Sequence, residues 1–174
     1  MPDPNLSEAI KEAYATAPSD DVILHTLELR HATFLEPIRV VRDNADHELV
    51  LEASAPLNPN TSVLFLGYGF DIIPPSVMTS GVPELTITID NVSSDIEEAI
   101  KIAADTTTKV EVTYRQYLLS DVSGPQNDPP LTMTLLSAGV KDMVISGKAT
   151  IADIANKKFP GEDYTATRFP GLVT

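Results

Sequence analysis

The sequence predicts an α+β chain that is mostly β, with mostly antiparallel pairing. Three observations carry this expectation. Apolar residues recur with a period of two through most of the chain. Helical spacing is confined to two short stretches, residues 6–17 and 94–106. No strand–helix–strand rhythm repeats, which argues against a doubly wound parallel sheet.

The elements follow in order. Residues 6–17 place Leu6, Ile10, Ala13, Tyr14 and Ala17 on one helical face. Asn5 is the expected cap, with Glu8 at capping-box spacing, and Pro18 ends the helix. Residues 21–31 then alternate as a strand. Val22, Leu24, Thr26, Glu28 and Arg30 face one way; Ile23, His25, Leu27 and Leu29 face the other. Residues 37–43 and 48–54 are two further strands, read as a hairpin across a turn at 44–46. The apolar run SVLFLGYGF, residues 62–70, is expected as one strand carrying Gly67 and Gly69 on one face. Pro74 and Pro75 stop any further ladder pairing after Ile72 and Ile73.

Residues 84–92 alternate cleanly, with Leu85, Ile87 and Ile89 on one face. Ser94 opens the second helix with Glu97 at capping-box spacing. Its apolar stripe is Ile96, Ala99, Ile100 and Ala103, and the threonines at 106–108 close it. Residues 109–119 form another strand. A loop rich in Pro, Gly, Asn and Asp follows at 120–130. Residues 131–136 and 141–154 are the last strands, with Gly139 near their turn.

Composition bounds what such a chain can do. Its 174 residues fit one domain, enough to bury roughly two-thirds of the surface the unfolded chain exposes. It has no cysteine, which removes disulfides, thiolate metal sites and cysteine nucleophiles and fits a reducing compartment. No apolar run approaches the roughly eighteen residues of a membrane span, so none is expected. The acidic N-terminal residues lack the pattern of a signal peptide. Net charge is −13, from 25 acids against 12 Lys and Arg. That argues against gripping a nucleic-acid backbone, which needs a basic footprint.

Candidate chemistry is sparse. His25 shares a strand face with Ile23 and Leu27 and reads as a packed residue, while His31 and His47 sit at strand ends and read as solvated. No Gly-x-Ser-x-Gly elbow, Gly-x-x-x-x-Gly-Lys loop or Gly-x-Gly-x-x-Gly turn occurs. Asp43, Asp46 and Glu48 lack the spacing of a calcium loop and read as a solvated turn. The expectation is therefore a protein that is not an enzyme, with no catalytic residue, no cofactor and no metal.

The closing segment has a different character. The organisation expected is a single β-rich domain over residues 1–155 and an extended arm over 156–174. Two Phe-Pro-Gly triplets lie ten residues apart in the arm, and Phe159, Tyr164 and Phe169 recur at intervals of five. Lys157, Lys158 and Arg168 add positive charge. Aromatics and Arg are enriched at interface cores, and proline keeps a segment extended at low entropic cost. Composition alone leaves packing on the chain's own domain and docking on a neighbour both open.

Several stretches resemble a known family. They are LSEAIKEAYATAPSDDVILHTLELRH from Leu6, IRVVRD from Ile38, LEASAPLNP from Leu51, ITIDNVS from Ile87, VTYRQYLLSDVSGPQNDPPLTM from Val112 and NKKFPGEDYTATRFPGL from Asn156. Together they are similar to an uncharacterised family of minor tail proteins of long-tailed bacteriophages and prophages. The SDVSGPQNDPP loop and the closing RFPGL are the most specific parts. The resemblance implies a virion protein of the distal tail or tail tip, made in the host bacterial cytoplasm. Its gene would follow the tape-measure gene and precede a peptidase-like tail protein and the tip protein. The implied fold is an antiparallel β-sandwich or β-barrel of the tail-tube kind, with both helices packed on the sheets.

The implied partners are copies of itself in a ring, six or three, and the neighbouring tail tube, tape-measure and hub or tip proteins. No sequence-specific nucleic-acid contact is implied. A ring built head to tail sets one patch against a different patch on the next copy. The contact residues expected on this reading are Phe159, Tyr164, Arg168, Phe169 and Leu172 of the arm, with Pro125, Gln126 and Asp128 of the loop. Two other roles stay open: an envelope- or glycan-binding tip module, drawing on Tyr114, Tyr117 and acids near Asp121 and Asp128, and a tail-assembly chaperone absent from the virion.

Overall fold

A computed structural model describes residues 7–16, 22–73, 84–90, 92–141 and 143–150. Among them are two helices, α1 (Glu8–Thr16) and α2 (Ser94–Ala104), and nine strands. The strands are β1 (Ile23–Arg30), β2 (Ile38–Val41), β3 (His47–Val50), β4 (Ser62–Gly67), β5 (Phe70–Ile73), β6 (Glu84–Ile89), β7 (Glu111–Leu118), β8 (Leu131–Lys141) and β9 (Val144–Thr150). The mostly-β α+β expectation holds. The strands join in one sheet of order β3-β4-β2-β1-β7-β8-β9-β6-β5. Every pairing is antiparallel except β2 with β4.

That order forces the sheet to roll. β4 and β5 stand seven places apart, which is about 34 Å across a flat sheet at the usual strand spacing. Only Tyr68 and Gly69 connect them, and three extended steps from Gly67 to Phe70 span at most about 11 Å. The sheet therefore curls until its ends approach. Tyr68 N–H donates to the Val41 carbonyl (2.9 Å), Asp90 N–H donates to the Gly69 carbonyl (2.8 Å), and Arg42 pairs with Asp71 (3.1 Å). No ladder joins β5 to β2 or β4 among the described residues, so the result is an open roll rather than a closed barrel.

Alternation along the strands divides two cores. Leu27, Leu29, Val40, Phe70, Ile87, Ile89, Val112, Met133, Leu135 and Ile145 gather on one face, joined by Ile100 and Ala103 of α2. Leu24, Val41, Leu49, Leu51, Phe65 and Tyr117 gather on the other. β1 is thus buried on both faces, and Glu28 lies fully inside.

Several expected details change. The pair 37–43 and 48–54 is not a hairpin, because β4 lies between β2 and β3 and bonds to both. Gly67 permits this: a Cβ there would sit 2.8 Å from the Ala45 carbonyl oxygen and 2.9 Å from that of Asp43. The run 62–70 is not one strand but the end of β4 and the start of β5, broken at the crossing. Gly139 lies within β8 opposite Ser146, and the turn falls beside Met143, at φ 64°.

The caps also differ. Ser7 caps α1: its Oγ accepts from Ile10 N–H (3.3 Å) and its carbonyl from Lys11 N–H (3.1 Å). Asn5 lies outside the described residues. Ser93, in extended conformation and without a side-chain bond, precedes α2, and the Glu97 carboxylate turns to Lys101 instead of closing a capping box.

Candidate functional site

Four features carry side chains that could serve a function: the 120–130 loop, a buried ion cluster, the histidines and an open apolar groove.

The loop is laid against its own domain. Gln126 N–H donates to the Gln116 carbonyl (2.7 Å), and Gln116 N–H donates to Asn127 Oδ1 (3.0 Å). Gln126 also holds the start of α1, accepting Ser7 Oγ–H at Oε1 (2.7 Å) and Ser7 N–H at its carbonyl (2.9 Å). Asp121 accepts from the Ser123 hydroxyl (2.6 Å) and backbone N–H (3.1 Å), which hold its carboxyl below the usual range. Of the three expected contact residues, Gln126 is thus engaged inward, Pro125 is half-buried and Asp128 is exposed. The arm residues Phe159, Tyr164, Arg168, Phe169 and Leu172 lie outside the described residues.

The second core carries a charged row on the face of β1 that Leu24 and Thr26 share. Register sets Glu28 opposite Arg39 of β2 and Thr113 of β7, with Arg30 and Arg115 on the same face. Glu28 Oε2 accepts from Arg39 Nε (2.9 Å), and Arg30 Nε and Arg115 Nη1 approach its carboxylate at 3.5 and 3.7 Å. Arg115 grips Glu52 with both Nε (2.7 Å) and Nη2 (2.9 Å), and Arg30 also reaches Glu111 (3.2 Å). Three guanidiniums thus meet three carboxylates. Burial works to raise the Glu52 carboxyl, but the Arg115 bonds outweigh it and hold it below the usual range. Tyr117, fully buried beside them, donates to the Val50 carbonyl (3.0 Å), and burial pushes its hydroxyl up. The cluster clamps β2, β1, β7 and the turn after β3.

This arrangement separates the residues of the glycan-binding alternative. Tyr114 and Tyr117 point to opposite faces of β7, and Tyr117 is enclosed. Asp121 and Asp128 are exposed on the loop. They do not converge on one pocket.

The histidines are all engaged. His25 Nδ1 lies 2.6 Å from the Tyr114 hydroxyl; burial, then the nearby Arg42 charge, lowers its pKa. His31, expected to be solvated, lies between Thr33 (2.7 Å) and Thr108 (2.6 Å), joining the end of β1 to the turn after α2. His47, also expected to be solvated, bonds Asp43 (2.6 Å). Asp46 accepts from Gly67 N–H (2.8 Å). The acidic turn thus anchors the β4 crossing. No cluster with metal-binding geometry occurs among the described residues.

The groove lies between α2, the 31–37 connection and β4. One lobe, about 480 Å³, is lined by Phe34, Leu35, Ile38, Ile96, Ala99 and Ile102, with Glu36 and Glu98 at its rim. A second, about 410 Å³, shares Glu36, Ile38 and Ile96 and extends over Val63, Leu64 and Leu66. Leu35 is fully exposed, and Leu64 and Ile102 are each about half exposed. Sequence reading missed this surface. Its signal was Ile102, an isoleucine off the buried stripe of α2, together with the large apolar pair Phe34-Leu35 in the 31–37 connection.

No curated protein matches the chain. A family described as "Domain of unknown function (DUF1833)" matches residues 9–164. That span takes in every described strand and the whole of α2. The chain therefore belongs to the DUF1833 family.

Proposed function

We propose that the chain is a structural component of a bacteriophage tail tip, a distal or minor tail protein that forms a ring at the end of the tail tube and joins it to the hub or tip proteins. The observation that carries this reading is the groove: large apolar side chains from three separate elements face outward on one continuous surface. Exposed apolar patches of this kind mark interaction sites. An arm with two Phe-Pro-Gly triplets and the cations Lys157, Lys158 and Arg168 supplies a second patch of different chemistry, which suits a head-to-tail ring. The rolled sheet agrees with the barrel-like modules that the resemblance implies. The ordered 120–130 loop adds Pro125 and Asp128 as outward contacts.

Deleting residues 156–174 tests the reading in a phage or prophage that encodes this chain. The expected result is loss of full-length infectious tails while the variant remains folded by circular dichroism. Normal particles from the deletion would remove the docking role of the arm. Mass spectrometry of purified wild-type particles supplies the second measurement. Absence of the chain would overturn the virion assignment in favour of an assembly chaperone.

A further inference from the structure

The groove has an occupant whose chemistry is written in the same chain. We propose that it receives the Arg168–Leu172 segment of a neighbouring copy. This rests on the ring reading and gives it a receiving surface.

The match is first one of shape and polarity. Phe169 and Leu172 are apolar, and Pro170 between them limits the conformational entropy lost on docking. The two open lobes, about 480 and 410 Å³, have room for such side chains. Burying a phenylalanine and a leucine there also covers Leu35 and Ile102, which are otherwise left to water.

Charge points the same way. Residues 156–174 carry three cations against two carboxylates, a net of +1. The 155 residues before them carry nine against 23, a net of −14. The groove rim presents Glu36 and Glu98, both exposed, while Arg39 of the second lobe is paired with the buried Glu28. Arg168, next to Phe169, is placed to meet that rim as its neighbour enters the lobe.

Reach allows it. Thr150 pairs with Thr134, Thr134 with Glu111, and Glu111 with Arg30, so Thr150 lies at the end of the sheet where the 31–37 connection begins. Eighteen residues separate Thr150 from Phe169, an extended span of about 60 Å. A domain of this length is about 40 Å across. The arm is long enough to cross to the next copy.

The absence of native cysteine makes the test clean. Full-length protein carrying Leu35→Cys with Leu172→Cys is oxidised beside a control carrying Leu119→Cys with Leu172→Cys. Leu119 is also exposed but lies past the opposite end of β7. The expected result is a ladder of covalently joined chains from the first pair, several-fold above the control, and reduced several-fold by adding Arg168→Glu. A yield no greater than the control overturns the proposal. So does a crosslink confined within single chains, which would assign the groove to the chain's own arm. Leu35 is fully exposed, so its replacement leaves the core intact. Particle mass spectrometry is independent of the ladder: a chain found in particles without a ladder removes only the groove contact, and a ladder without the chain in particles removes only the tail-tip reading.

Discussion

Glu28 shows most directly how this chain stores charge inside a β-sheet. Its carboxylate is fully buried and faces three guanidiniums, from Arg30, Arg39 and Arg115. Burying ions costs several kcal/mol each, and that cost is offset only while every partner is present. Glu28→Ala should therefore destabilise the fold by about 3–5 kcal/mol, read as a shift in urea midpoint, because Arg115 is left buried with one carboxylate fewer. A loss below about 1 kcal/mol would show that water reaches the row. Glu52 adds a pH dependence. Its folded carboxyl lies below the ordinary value of about 4.5, so the unfolded chain takes up the proton first. The stability it contributes is present above that value and lost as pH falls through the folded one. Glu52→Gln should flatten the acid limb of stability measured against pH from about 5 downward. An unchanged limb would assign acid unfolding to other carboxylates.

At the scale of elements, the crossing between β4 and β5 decides the fold. Gly67 lets β4 enter between β2 and β3, since its missing side chain leaves room for the Ala45 and Asp43 carbonyls. Gly67→Ala sets a methyl carbon under 3.0 Å from two backbone oxygens that the Asp43–His47 and Asp46–Gly67 bonds hold in place. A loss of about 1–3 kcal/mol in thermal or urea unfolding is expected. Gly69→Ala, with no comparable contact, should cost less, and equal costs would refute the steric account. The comparison also shows which elements were readable. β1, β6, α2 and β7 follow local periodicity, so their positions were legible within a few residues. The false hairpin at residues 37–54 was not, because β2 pairs with β4 across twenty-odd residues and no local pattern encodes that contact. The burial of the charged row was not legible either: Thr26, Glu28 and Arg30 share one face of β1, and Arg39, Arg115 and Glu52, which close over them, come from other segments of the chain.

At the scale of the whole molecule, two kinds of surface differ in what they contribute to folding. The two cores and the ion cluster are internal; Phe34, Ile38 and Ile96 of the groove floor pack against the first core, whereas Leu35 and Ile102 belong to neither. Leu35 and Ile102 contribute little to that interior because both face outward. Replacing them with charge therefore separates assembly from stability. Leu35→Glu with Ile102→Glu should leave the thermal midpoint within the small range usual for surface substitutions, about 0.5 kcal/mol in equivalent stability. The same change adds two negative charges beside Glu36 and Glu98, where an incoming apolar segment would have to desolvate them. Analytical ultracentrifugation should then show the variant shifted toward the single chain at concentrations where the wild type associates. A variant that is folded and associates as well as the wild type would mean that the groove is not the contact surface. A variant that loses stability in step with association would mean that the groove belongs to the core, with Leu35 and Ile102 covered in the solitary chain.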